Sequence, residues 1–296
     1  MSRATRRPRL HALLTVHDRK SETLSCLERL AAQHDQAGAE VRVVLVDDGS
    51  TDGTGAAVRA RFPAVQVVDG SGQLYWNGGM RRAFEIAARE DPDYYLLLND
   101  DTHLYPGALG RMLQTHRELT STGERRCLVV GSTLDPATGR QSYGGWRRGP
   151  RLNPGAIRIV EPGPAAARCD TMNGNCVLLP RDVAERVGNL DAAFRHSKGD
   201  IDYGFRARRA GCSLWVAPGY VGECLANTGT GLWAERSLGA REMWRRLLGP
   251  KGLAPSEWAV LTSRHFGPFW PAHFAWPYLK AGWQTLRGLL ARQAPS

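Results

Sequence analysis

The chain has 296 residues and 42% hydrophobic content, enough to bury a full core as one large domain with an appendage. A formal charge of +10 and an isoelectric point near 9.7 favour anionic partners: nucleotide phosphates, a lipid headgroup surface or nucleic acid. Part of that charge reflects a general abundance of Arg. No run is long enough to cross a bilayer, and there is no internal repeat and no low-complexity segment. The basic start, Met1 to Arg9, runs into strand-like sequence and not into the apolar core of a signal peptide. Six cysteines, Cys26, Cys127, Cys169, Cys176, Cys212 and Cys224, form no Cys-x-x-Cys pair, and they read as reduced thiols of a cytosolic protein.

In chain order, Leu10 to Val16 reads as a strand that breaks at His17-Asp18-Arg19-Lys20. Ser21 and Glu22 open an amphipathic helix through Leu24, Leu27 and Leu30. A second strand, Val41 to Val46, ends in Asp47-Asp48-Gly49-Ser50-Thr51-Asp52-Gly53-Thr54, and Ser50 or Asp52 caps the helix Gly55 to Phe62. Val65 to Val68 is a third strand, followed by a Gly-rich loop, Gly70 to Gly79, and a helix through Ala83, Phe84 and Ala87. Tyr94 to Leu98 is uniformly apolar, as expected of a strand buried on both faces in the middle of a mostly parallel sheet. A helix follows Pro106 to about Thr120, then a strand, Cys127 to Gly131. Leu134 to Arg168 reads as hairpins and loops. Met172 to Leu179 is a strand, Pro180 to Val187 a short helix, Arg206 to Ala210 a basic helix and Leu214 to Pro218 a final strand. The β-α alternation of the first hundred residues predicts a doubly wound sheet.

The central strand ends abruptly in Asn99-Asp100-Asp101. In open α/β sheets ligands bind outside the carboxyl ends of the strands. Paired carboxylates repel there, but they suit a divalent cation held against a diphosphate. A helix cap or an Asx-turn is the alternative.

Five stretches, in order, resemble the family 2 glycosyltransferases with the GT-A fold: Thr15 to Lys20, Val46 to Thr54, Leu97 to Asp101, Asn173 to Leu178 and Gly199 to Asp202. Together they span roughly the first three quarters of the chain. The segment Gly72 to Gly79 resembles the rhamnosyltransferase branch. The resemblance implies an α/β, GT-A-type, mostly parallel doubly wound sheet with flanking helices over residues 1–237, and a helical, Trp/Arg-rich C-terminal extension over 238–296. It implies inverting transfer of a sugar, rhamnose in that branch, from a dTDP- or UDP-linked donor to a glycan or lipid-linked acceptor in cell-envelope or polysaccharide synthesis. On that basis Thr15, Val16 and His17 line the base, with Arg19 and Gly49 nearby. Asp47 accepts from the pyrimidine or ribose, and Asp48 either joins it in binding the donor or braces the loop. Gly78 and Gly79 let backbone approach the donor beside Asn77, and Trp76 offers an apolar face, or else is a core aromatic. Asp101 is the metal ligand for Mg2+ or Mn2+, with Asn99 and Asp100 on the donor side. Asp200 is the base that takes the acceptor proton, and Asn175 and Asp202 sit on the acceptor side, Asp202 alternatively capping a helix. Two departures stand out: Gly199 replaces the first acid of the family's pair, and Asn227 stands where a metal-binding His is common. His103 and His196 read as ordinary polar residues near the site.

Two other classes compete. A nucleotidyltransferase would want a Gly-rich loop straight after the first strand, and Thr15 to Lys20 has no Gly. A nucleic-acid-binding protein would interleave basic and aromatic residues on its binding surface, whereas here acids occupy the strand tips, so no nucleic acid partner is expected. A catalytically dead, lectin-like member is a third reading. The tail from Leu238 combines five tryptophans with many Arg and Lys residues, and Pro268, Pro271 and Pro277 interrupt it. Tyr278 to Arg292 places Leu279, Trp283, Leu286 and Leu290 on one helical face, which predicts peripheral attachment to the inner face of the cell membrane. The alternatives are a helical subdomain on the core or a homodimer contact.

Overall fold

The computed structural model describes residues 6–33, 38–149, 157–226 and 238–293. Asn227 and the segment joining the extension to the core lie outside them. The first half is β1 (Arg9–Val16), α1 (Lys20–Ala31), β2 (Glu40–Asp47), α2 (Thr54–Arg61), β3 (Gln66–Asp69), α3 (Tyr75–Ala88) and β4 (Tyr94–Leu98). Then come β5 (His103–Leu104), α4 (Ala108–Ser121), β6 (Cys127–Leu134), the short strands β7 (Gln141–Tyr143), β8 (Gly145–Arg148), β9 (Ile157–Ile159), β10 (Ala167–Cys169) and β11 (Thr171–Met172), and β12 (Cys176–Pro180). The chain continues with α5 (Arg181–Val187), α6 (Gly199–Arg209), β13 (Ser213–Glu223), α7 (Ala240–Leu248), α8 (Pro255–His265) and α9 (Trp270–Gln293).

The main sheet runs β10-β13-β6-β12-β4-β1-β2-β3. β3, β2, β1 and β4 are mutually parallel, whereas β12 is antiparallel to both β4 and β6. The uniform apolarity of Tyr94 to Leu98 has the expected cause, since the strand is flanked on both sides and Leu96, Leu97 and Leu98 are fully buried. Alternate residues feed two cores. Leu96 and Leu98 pack with α1 and α4, and Leu97 packs with α3 and α6. The strand order reverses between β1 and β4, so a crevice opens above their carboxyl ends, at Val16 and Asn99.

Several elements depart from the sequence reading: the strand expected over Met172 to Leu179 is two, β11 and β12, in different sheets, and α9 runs through Pro277. α3 begins at Tyr75, so Trp76, Asn77, Gly78 and Gly79 are helical and not a loop. Gly79 belongs in the helix because a Cβ there would lie 2.0 Å from Thr15 Oγ1. Glycine lets α3 settle on β1, at a helix-propensity cost of about 1 kcal/mol. α6 begins at Gly199, seven residues before the expected basic helix, and Asp200 and Asp202 fall in its first turn. β13 extends to Glu223, beyond the predicted Pro218. All six cysteines are buried and free.

The extension packs on the catalytic fold through ion pairs. Glu257 of α8 accepts from Arg195 at 2.8 Å, Arg264 reaches Asp191 at 2.6 Å, and His265 lies 2.9 Å from Asp202.

Candidate active site

Two cavities open above the carboxyl ends of β1 and β4, one of about 350 Å3 and one of about 440 Å3. They share Trp76, Asn99, Asp101 and His196. The first is lined by Thr15, Val16, His17, Arg19, Asp48 and Asp100, with Tyr75 and Lys251. The second holds Asn173, Gly174, Asn175, Lys198 and Asp200 and is otherwise largely aromatic.

The floor of the first cavity is built by loops that hold each other. His17 Nδ1 lies 2.8 Å from the Asp48 carbonyl oxygen, and Asp18 accepts from the Thr51 N–H at 2.6 Å. Asp48 spends both carboxylate oxygens on backbone, accepting from the Gly72 and Tyr75 N–H groups at 2.8 Å each. That grip holds Tyr75 at φ 55, a left-handed conformation unfavourable for an aromatic residue, and leaves the ring on the cavity wall. Asp48 thus braces the loop, while still lining the cavity. Asp47 accepts from the Ser50 N–H at 3.0 Å, and its other oxygen crowds Gly55 of α2, so it caps its own turn and is not among the lining residues. Gly49, at φ 73, lets that turn rest on Gly72, and it also stays off the wall.

Asn77, Gly78 and Gly79, expected to bind the donor, line neither cavity. Asn77 is fully buried, and its amide donates to the Asp191 and Phe194 carbonyl oxygens at 2.8 and 2.7 Å. It ties α3 to the loop before α6, while the two glycines serve helix packing. Trp76 does face the site. Its indole N–H donates to Asn99 Oδ1 at 2.7 Å, and Gly174 leaves room for the ring.

The acid pair is bridged by an internal cation. Arg19 Nη2 donates to Asp101 at 2.8 Å, and its Nε lies 3.2 Å from Asp100 Oδ2, off the line of a hydrogen bond. Burial pushes the Asp100 carboxyl up to about 7; Arg19 opposes that shift and Asp101 adds to it. The Cys224 thiol, raised by burial and by Asp101, donates to Asp101 Oδ1 at 3.3 Å. Among the described residues, no three acidic, His or Cys side chains are clustered to hold an ion alone. Asp101, with the buried Asp100 Oδ2 that no hydrogen bond holds, nonetheless suits an ion that takes its remaining ligands from a diphosphate and water.

Asp200 accepts from the Gly174 N–H at 3.0 Å and the Ile201 N–H at 2.8 Å. Burial pushes its carboxyl above the ordinary value, against those two donors and Lys198. Asn175 lines the same cavity; its carbonyl accepts from the Asn99 N–H at 3.0 Å, which fixes the end of β4. Asp202 does not line it. That carboxylate is wholly buried and meets Arg206 at 2.7 Å, His265 at 2.9 Å and Arg264 at 3.3 Å.

His196 lines both cavities, and burial lowers it to about 4, so it is neutral near pH 7. Its place on both walls was not legible in the sequence, nor were the places of Lys251, Trp146 and Trp258. Lys251 and Trp258 arrive from the extension, whose docking no local pattern announces.

Residues 12–124 match the family model Glycosyl transferase family 2. The chain carries a family 2 glycosyltransferase domain. An N-acetylglucosaminyl-diphospho-decaprenol L-rhamnosyltransferase of Mycobacterium tuberculosis, from strains CDC 1551 / Oshkosh and H37Rv, is 27% identical over 273 residues, covering 85% of this chain and 81% of the relative. Among solved structures, the mannosyltransferase PcManGT from Pyrobaculum calidifontis, in complex with GDP-Man and Mn2+, superposes with a TM-score of 0.56 at 16% identity. It covers 99% of this chain and 77% of the other, and the likeness is one of fold. The fold is the expected GT-A architecture, with a helical extension.

Proposed function

We propose that this glycosyltransferase moves a sugar, rhamnose on the likeness to the mycobacterial enzymes, from a dTDP- or UDP-linked donor to a hydroxyl of a lipid-linked glycan, with inversion. The observation that carries this is the junction of the two cavities at Trp76, Asn99, Asp101 and His196, with cationic and acidic groups on one side and Asp200 on the other.

In this reading Thr15, Val16 and His17 face the nucleobase, and Arg19 and Lys251 face the diphosphate. Asp101 and Asp100 would hold a divalent ion, Mg2+ or Mn2+, which when bound neutralises charge on the departing diphosphate. Asp200 takes the proton of the acceptor hydroxyl as that oxygen bonds to the anomeric carbon from the face opposite the diphosphate. The bond from that carbon to the phosphate oxygen breaks, and its electron pair leaves with the diphosphate. Burial of Asp200 makes it a stronger base than an exposed carboxylate. A lipid-linked acceptor places the work at the inner face of the membrane.

The test is a panel of nucleotide sugars, with and without Mg2+ or Mn2+, read by thermal shift and by slow donor hydrolysis. A dTDP- or UDP-sugar should raise the melting temperature, more so with metal. If no pyrimidine nucleotide does so under any metal condition, the reading is wrong.

A further inference from the structure

The extension has two working faces. Leu253, Trp258, Leu261 and Phe266, in and around α8, wall the 440 Å3 cavity that contains Asp200. α9 packs behind: Ala281 is buried with Met243 and Leu247, the Tyr278 hydroxyl donates to the Leu253 carbonyl at 2.6 Å, and the Trp244 indole donates to Thr285 at 3.1 Å.

The opposite side of α9 is bare. Trp276, Leu279, Trp283 and Leu286 follow the i, i+3, i+7, i+10 spacing of a single helical stripe, and the first three are 67, 65 and 61% exposed. Phe269, just before the helix, is exposed as well. A soluble face has no use for two bare tryptophans one above the other. Lys280 and Arg287 flank the stripe, both exposed. After Glu257 the sequence contains no acidic residue at all. Among the described residues, no helix is long and apolar enough to cross a membrane.

We infer that this outward face of α9 docks the protein on an anionic bilayer surface. Tryptophan favours the headgroup level, and Lys280 and Arg287 meet negative lipid. An acid-free helix with an apolar stripe lies in the interface plane and does not span it. α8, which walls the cavity at Asp200, packs directly against α9. A lipid-anchored acceptor therefore keeps its tail in the bilayer while its sugar reaches the base; this last point rests on the glycosyltransferase reading above, whereas the docking does not.

The experiment is sedimentation of the full chain with vesicles of phosphatidylcholine alone or mixed with phosphatidylglycerol. It compares the native protein with Trp276→Ser/Trp283→Ser and with Lys280→Glu/Arg287→Glu. The native protein should pellet with the anionic vesicles at low salt, and each variant should bind about tenfold more weakly. The nucleotide-sugar thermal shift, read on the same samples, should be unchanged in both variants. That shift shows the variants are folded, and its absence from all three proteins alongside intact vesicle binding would sink the sugar-transfer reading and leave the docking standing. A native protein that stays in the supernatant overturns the inference. So do variants that pellet as well as the native chain, or a native dimer that the serine variant turns into a monomer, which would make a second copy the occupant.

Discussion

Gly199 and Asn77 meet so closely that a Cβ on Gly199 would lie 1.9 Å from the Asn77 amide oxygen. Asn77 cannot swing aside, because its Nδ2 is held by two backbone carbonyls and its own N–H donates to the Arg195 carbonyl at 3.0 Å. An acid therefore has no room at this position, and the glycine is a packing solution. Gly199→Asp should cost about 1–3 kcal/mol through overpacking. In a double-mutant cycle with Asn77→Ala the two losses should be less than additive, by about 1 kcal/mol. Denaturant melts of the four proteins decide it, and a Gly199→Asp protein as stable as the native one would remove the steric explanation.

As the proposed base, Asp200 must be ionised to accept a proton, and burial raises its carboxyl above the ordinary 3.8. Turnover is therefore lost as the pH falls through that raised value, and the acid limb of the kcat profile should lie above pH 3.8. Asp200→Asn keeps the shape and removes the base. It should lower kcat by about a hundredfold or more, abolish the acid limb and leave the donor thermal shift intact. Near-native turnover in that variant would pass the role to another group.

The fold was legible wherever burial leaves a local mark. Tyr94 to Leu98 could be read as a central strand because both its faces are covered, and Asn99 to Asp101 as the tip that opens on the cavities because charge follows apolarity without a break. The stretch from Tyr75 to Gly79 misled for an equally physical reason. Glycines usually signal a loop, but Gly79 is in a helix to clear Thr15, a contact more than sixty residues away. Asp202 looks, from its spacing, like a partner of Asp200, yet on the first turn of α6 it is buried against α8. His196 carries no signal of its own; only the tertiary arrangement puts a neutral imidazole where the two cavities join.

Arg19 already supplies a cation to Asp100 and Asp101, so it competes for the place a metal ion would take. Arg19→Ala should lower stability by about 1 kcal/mol or less, since the guanidinium is partly exposed and solvent screens the pair. With the competitor gone, Mn2+ alone should stabilise the variant at lower concentration than it does the native protein. The nucleotide sugar, deprived of a positive group at its diphosphate, should bind about tenfold more weakly. Titrations followed by thermal shift measure both, and an unchanged Mn2+ midpoint would rule out competition at this pair.

Asp202 and His265 fasten α8 to α6, so the wall of the 440 Å3 cavity and the turn that carries Asp200 are tied together. Burial of Asp202 raises its carboxyl, but hydrogen bonds from His265 and Arg206 more than offset this, and the group ends below its ordinary 3.8. A depressed carboxyl stabilises the fold above its unfolded value. That contribution is present above pH 3.8 and is lost as the pH falls through the lower, folded value. Removing one partner of a buried ion pair leaves the others uncompensated, at about 3–5 kcal/mol. Asp202→Asn should accordingly lower stability by an amount of that order and loosen α8 most. The readouts are faster amide hydrogen exchange in α8 and a raised KM for the acceptor, with the donor thermal shift retained. If exchange quickens equally through β1 and β4 while the acceptor KM holds, Asp202 supports the fold as a whole and does not position the acceptor wall.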